Sequence, residues 1–97
     1  MNDFDKAIGS VLDYAEKDGN TLVIVTADHE TGGFTLGAKG RNGYDSDYSV
    51  IQPTFGTTNH SATLVPVFAF GPGAEIFTGI YENTEIFHKL VSLVESK

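Results

Sequence analysis

The 97-residue chain carries 6 Lys and Arg against 13 Asp and Glu, a formal net charge of -7 that sets the isoelectric point near 4.6. That balance repels nucleic-acid backbones and anionic lipid, and no basic cluster overrides it, so neither nucleic acid nor a membrane surface is an expected partner. With no cysteine there is no disulfide framework and no thiolate metal site, which leaves His, Asp and Glu as the strong ligands.

The opening "MNDFDK" has no secretory-leader pattern and no apolar run approaches the ~18 residues of a membrane span. A chain that is 40% hydrophobic and this short predicts one small globular domain over residues 1–97, with a thin core. In "NDFDKAIGSVLDYAEKDGN", Phe4, Ala7, Ile8, Val11, Leu12 and Ala15 recur with helical spacing and form one apolar stripe. Asn2 or Asp3 is the expected cap, and Gly19 suits the left-handed position that closes a helix. "TLVIVTA", residues 21–27, is apolar on both faces, the pattern of an interior strand covered by helices, and it predicts an α/β fold.

"GGFTLG" reads as a short strand, and residues 38–59, "AKGRNGYDSDYSVIQPTFGTTN", as a long structured loop. "TLVPVFAF", residues 63–70, is a second buried strand in which Pro66 points to an edge or an interruption of the ladder. After "GPG", the stripe Ile86, Phe87, Leu90, Val91 and Val94 predicts a final helix, capped by Asn83 and with Glu85 near its positive end. No helix is expected between residues 27 and 63. Parallel neighbours normally need a crossover, so the two main strands are expected to run antiparallel. Residues just after the first strand and just before the second then share one edge: Asp28, His29 and His60.

Ligands in open α/β sheets bind beyond the carboxyl ends of strands, where Asp28 and His29 sit by position. Carboxylate and imidazole are the expected zinc donors in a chain without cysteine, at bond lengths of roughly 2.0 to 2.2 Å. Consecutive strand residues face opposite ways, so the backbone must leave the extended conformation for both to reach one ion, and Gly32 and Gly33 supply freedom directly afterwards. Two catalytic metals need about six ligands, and three candidates are half of that set.

"VTADHETGGF" followed by "HSATLVPVFAFGPGAEIFTGIYENTEIF" resembles the C-terminal part of the bacterial alkaline phosphatases, and the resemblance covers nearly the whole chain. It implies a C-terminal fragment of an α/β three-layer sandwich, with buried strands flanked by helices. It also implies hydrolysis of phosphate monoesters through a phosphoserine intermediate, two Zn2+ sites and a Mg2+ site outside this chain. Asp28 and His29 would be ligands of one zinc and His60 of its neighbour; no catalytic residue proper falls within the chain. Ser61 and Ala62 stand where the family usually has Thr and Gly, which keeps a hydroxyl and loses a glycine. The nucleophilic serine, the remaining ligands and the phosphate-holding arginine are not matched, so the chain alone is expected to be inactive. A positive field from metals and residues outside the chain reconciles its acidity with an anionic substrate.

A periplasmic or secreted setting goes with the resemblance. A free-standing non-enzymatic metal- or partner-binding module, and a fragment of a phosphodiesterase, sulfatase or phosphoglycerate mutase relative, remain the alternatives. Asp45 and Ser46 resemble an Asp-Ser nucleophile pair but lie in a loop on the wrong side of "TADH", and the alternation of Asp45 with Asp47 lacks the rest of a calcium-loop pattern. Glu30 reads as a ligand, a partner of His29 or a solvated carboxylate, and His88 as a surface residue. A strand pair cut from a larger sheet leaves open edges and bare apolar faces, so the isolated chain is expected to self-associate.

Overall fold

Helix α1 runs over Asn2–Asp18 in a computed structural model that describes residues 2–40 and 46–95. It ends as its sequence requires: Gly19 takes a φ of 69° and donates its N–H to the Ala15 carbonyl at 2.9 Å. Asn2 and Asp3 lie inside the first turn and not at the cap, where their carboxylate and amide still suit the positive end of the helix.

By internal packing the chain divides into two compact units, Met1–Ala27 with Pro66–Lys97, and Asp28–Val65. In the first, strand β1 (Val23–Val25) pairs antiparallel with Phe68–Phe70, as the absence of a crossover helix predicts. Val23 lies opposite Phe70 and Val25 opposite Phe68, so these four share one face. The apolar stripe of α1 addresses that face: Phe4, Ile8 and Leu12 line a hollow with Val25, Phe68 and Phe70.

Both strands are shorter than their apolar runs. The second begins only after Pro66, whose carbonyl accepts the Thr26 hydroxyl at 3.1 Å and which has no N–H to add to the ladder. Among the described residues β1 has a single neighbour, so the strand expected to be interior is an edge here. Gly71, at φ 106°, follows the second strand; a Cβ there would sit 2.2 Å from the Thr21 carbonyl oxygen, so only glycine permits this approach.

A 3-10 helix over Ala74–Phe77 buries Phe77 and leads to helix α2, Glu85–Glu95. Two polar contacts tie them. The Lys89 ammonium donates to the Ile76 carbonyl at 2.8 Å while lying 4.4 Å from the centre of the Tyr81 ring, and the Tyr81 hydroxyl donates to the Phe77 carbonyl at 3.0 Å. Asn83 contributes its main-chain carbonyl to the first turn of α2, accepting from Ile86 N–H at 3.2 Å. His88 lies exposed on α2.

The second unit corrects the expected loop. Strand β2 (Glu30–Thr31) precedes β3 (Phe34–Lys39) and β4 (Asp47–Phe55), and β3 and β4 pair antiparallel from Phe34 opposite Phe55 to a bulge at Ala38 and Lys39. Pro53 is accommodated opposite Leu36 because β4 has one neighbour among the described residues and needs no hydrogen bond on its other side. Strand β5 (His60–Ser61) returns to pair with β2, and Phe68–Phe70 is then β6. Buried apolar side chains among the described residues are Ala15, Val23 and Phe77, while Phe4, Leu36, Phe55 and Phe68 are each 60% exposed or more.

Candidate metal centre

All three residues singled out in the sequence fall in the second unit. Asp28 follows directly on Ala27, exposed and at a bend that also takes in His29, and its carboxylate accepts the N–H of His29 at 3.1 Å. The other carboxylate oxygen lies 3.7 Å from Nε2 of His29. Two donors on one tetrahedral zinc sit roughly 3.3 Å apart, given bonds of about 2.0 to 2.1 Å. The observed gap is therefore of the right order for a shared ion, and the donors are of the right chemical type. The Asp28 side chain is 89% exposed, so it meets an incoming cation without first displacing protein.

The orientation of His29 is set by its own backbone neighbourhood. Its Nδ1 lies 3.0 Å from the Glu30 carbonyl oxygen, which can only accept. Nδ1 therefore carries the hydrogen in this contact, which in the neutral ring leaves the lone pair on Nε2, the nitrogen that faces the Asp28 carboxylate. The Thr31 hydroxyl is 3.5 Å from the same Nδ1.

His60 arrives from a different direction. In the pairing of β2 with β5, Thr31 lies opposite His60 and Glu30 opposite Ser61. Alternation places Thr31 and His60 on one face of this short ribbon and Glu30 and Ser61 on the other, and His29 reaches the first face from the bend before β2. The imidazoles of His29 and His60 stack on that face, ring centroids 3.4 Å apart and planes 18° from parallel. No three His, Asp or Glu side chains among the described residues close around one point as a ligand cage. At most two of these donors address any one ion.

The turn that makes the approach possible is Gly32–Gly33, at φ 86° and 58°. Gly32 N–H donates to the Asn59 carbonyl at 2.9 Å, and the Gly32 carbonyl accepts Gly56 N–H at 2.9 Å and Thr57 N–H at 3.1 Å. A Cβ at Gly32 would lie 2.8 Å from the Phe55 ring, so the close packing of this turn on the segment leading to His60 depends on glycine.

Glu30 is neither a free surface carboxylate nor aimed at His29. One carboxylate oxygen accepts the Ser61 hydroxyl and the Gly33 N–H at 2.9 Å, and the other accepts the Phe34 N–H at 3.0 Å. The Ser61 hydroxyl first, and the amides of Phe34 and Gly33 after it, hold the Glu30 carboxyl below the usual carboxylate range. Sequence reasoning named Glu30 without finding this role. The signal was the hydroxyl retained at position 61, directly after the histidine. Asp45 lies outside the described residues; Asp47 turns its carboxylate back on Ser49, accepting its N–H at 2.9 Å and its hydroxyl at 2.6 Å.

Known proteins provide an independent line. The alkaline phosphatase family model matches residues 1–51, which includes Asp28 and His29 and stops short of His60. Alkaline phosphatase 4 of Bacillus subtilis is 27% identical over 88% of this chain and 32% of its own length. The streptomycin-6-phosphate phosphatase of Streptomyces griseus is 35% identical over 87% of this chain and 21% of its own. Among solved structures, the alkaline phosphatase from the Antarctic bacterium TAB5 is 65% identical and superposes with a TM-score of 0.86, covering 97% of this chain and 28% of that one. A variant of that enzyme with magnesium bound superposes with the same TM-score at 64% identity. The chain thus spans between a fifth and a third of the relatives just described.

Proposed function

Because this chain belongs to the alkaline phosphatase family, we propose that it is the C-terminal, ligand-bearing segment of a zinc-dependent phosphate monoester hydrolase. The observation that carries the reading is the convergence of His29 on both its partners: Nε2 lies 3.7 Å from the Asp28 carboxylate, and the ring is stacked 3.4 Å from that of His60. Asp28 and His29 hold one ion and His60 its neighbour. The fixed Nδ1 contact of His29 directs Nε2 outward as the donor, and the carboxylate of Asp28 offsets part of the cation's charge.

Two zinc ions, when bound, supply a clamp for the attacking and leaving oxygens of the phosphoryl group and a water that loses its proton near neutral pH. The serine nucleophile of a phosphoserine route, the remaining ligands, a magnesium site and the phosphate-binding arginine belong to the longer protein that its relatives represent, in a periplasmic or secreted setting. Alone, the 97 residues bring half a metal centre to the reaction.

The reading is tested by incubating the 97-residue chain with zinc and p-nitrophenyl phosphate, and by titrating zinc into the chain and its Asp28→Ala variant. Zinc binding weakened by the substitution, with no turnover from either protein, is the expected result. Turnover abolished by Asp28→Ala would show that the segment is catalytically complete, and zinc binding indifferent to the substitution would remove Asp28 from the site.

A further inference from the structure

Glu30 and Ser61 are the chain neighbours of the two histidines and are placed where they are not ligands. Each immediately follows a histidine in the chain, they are directly opposed in the β2–β5 pairing, and the strand alternation turns them to the face away from the stacked imidazoles. We propose that Glu30 is a positioning residue: through Ser61 it clamps the β5 strand to the β2 strand and so fixes the spacing of His29 and His60. That the imidazoles are metal ligands rests on the function proposed above, whereas the clamp itself does not.

The physical case is one of cross-linking. The carboxylate takes three donors, the Ser61 hydroxyl and the N–H groups of Gly33 and Phe34. The two amides anchor it to the Gly32–Gly33 turn and the start of β3, and the hydroxyl carries that anchorage across to the neighbour of His60. A two-residue strand pair has little hydrogen bonding of its own, so a charged three-donor node next to it is a large share of what holds the pair in register. With both oxygens engaged on the reverse face, Glu30 is not presented to an ion on the imidazole face.

The chemistry of substitution separates this role from ligation. Glutamine at position 30 keeps the shape but turns an NH2 group toward at least one of three donors, whichever way the amide is flipped. Alanine at 61 removes the bridging hydroxyl and touches nothing on the imidazole face, while threonine at 61 retains the hydroxyl.

The experiment uses the 97-residue chain in dilute solution without metal, and compares the ring-to-ring nuclear Overhauser effects of His29 and His60 in the wild type, Glu30→Gln, Ser61→Ala and Ser61→Thr. The amides of Leu36, Ile51 and Gln52, in the β3–β4 ladder of the same unit, report whether each variant is folded. Zinc titration follows on the same samples. The expected result is loss of the His29–His60 effects in Glu30→Gln and Ser61→Ala, retention in Ser61→Thr, and zinc affinity lower by about 10- to 100-fold in the first two, the usual scale for groups behind the ligands.

The proposal is overturned by rings that stay in contact, with unchanged zinc affinity, in both disruptive variants. It is equally overturned when Glu30→Gln weakens zinc with the rings still stacked and Ser61→Ala has no effect, the pattern of a direct ligand. Should Glu30→Gln unfold, Ser61→Ala against Ser61→Thr decides alone. A wild type that binds no zinc ends the proposed function, and the ring contacts still decide the clamp.

Discussion

The ring of His29 stacks on the ring of His60 with centroids 3.4 Å apart, although the entire β3–β4 hairpin separates the two residues in sequence. The in-plane lone pairs of two nearly parallel rings do not converge on one point, which suits two neighbouring cations better than a single ion held by both rings. The proposed division therefore has a measurable consequence. His29→Ala or Asp28→Ala removes one of two donors from the same ion and should weaken the tighter zinc by at least about tenfold, as even groups behind metal ligands do. His60→Ala should leave that site within about threefold and abolish only the weaker event. Isothermal titration of zinc into the three variants checks this, and equal losses in all three would mean one shared ion.

The gross order of elements was legible because long periodic segments carry their own signal. The stripe from Phe4 to Ala15 and the one from Ile86 to Val94 became α1 and α2, and the antiparallel sense of β1 and β6 followed from the lack of a crossover helix. The β3–β4 hairpin was half legible: "GGFTLG" marked the start of β3, while β4 was hidden in what read as a loop. Pro53 is punctuation in a strand, and the alternation of Asp47, Tyr48, Ser49 and Val50 breaks at Ile51, so β4 carried no unbroken period to set against its glycine-rich surroundings. The pairing of Glu30 with Ser61 was invisible for a different reason, since a two-residue strand has no period to read. Asp28, His29 and His60 stood out by residue type and by motif, and the antiparallel sense of the main strands put them on one edge; the stacking of the two imidazoles could come only from the fold.

Gly32 offers a test of how the site is held together. An alanine there must adopt φ near 86° and place its Cβ 2.8 Å from Phe55, so two penalties combine. The left-handed conformation alone costs an L-residue roughly 1–2 kcal/mol. Gly32→Ala should therefore destabilise the second unit by more than that, and the same change in a Phe55→Ala background should cost less because the clash is gone. Amide hydrogen exchange along β3 and β4 measures both. Equal costs in the two backgrounds would show that the ring moves aside freely and that backbone conformation is the whole effect.

Asp47 gives the pH dependence a sign. The Ser49 hydroxyl, and after it the Ser49 N–H, hold its carboxyl below the ordinary value of 3.8. A carboxyl lowered on folding contributes stability that is present in full above its unfolded value and is lost as pH falls through the folded one. The start of β4 should thus loosen only below about pH 3.8, the ordinary Asp value. Ser49→Ala should raise the Asp47 midpoint toward that value. Carboxyl carbon shifts followed by NMR against pH read it directly, and an unmoved midpoint in Ser49→Ala would deny the hydroxyl its role.

The apolar surface of the first unit carries the last expectation. Phe4, Phe68 and Phe70 lie around one hollow, and each is at least 44% exposed, while β1 and β6 each have one neighbour among the described residues. Burying a large apolar side chain contributes about 1.5–3 kcal/mol, and an unpaired strand edge adds hydrogen bonds to any strand that docks on it. The chain matches 28% of the TAB5 enzyme, so a protein of that length has further chain with which such a face could be covered. Without it the 97-residue chain should self-associate, with sedimentation coefficients rising with concentration. Phe4→Ser together with Phe68→Ser, both at exposed positions, should lower that tendency and leave the helical circular dichroism signal unchanged. A clean monomer at high concentration in the unsubstituted chain would mean that the exposed face is tolerated by water, and that the apolar cluster drives no assembly.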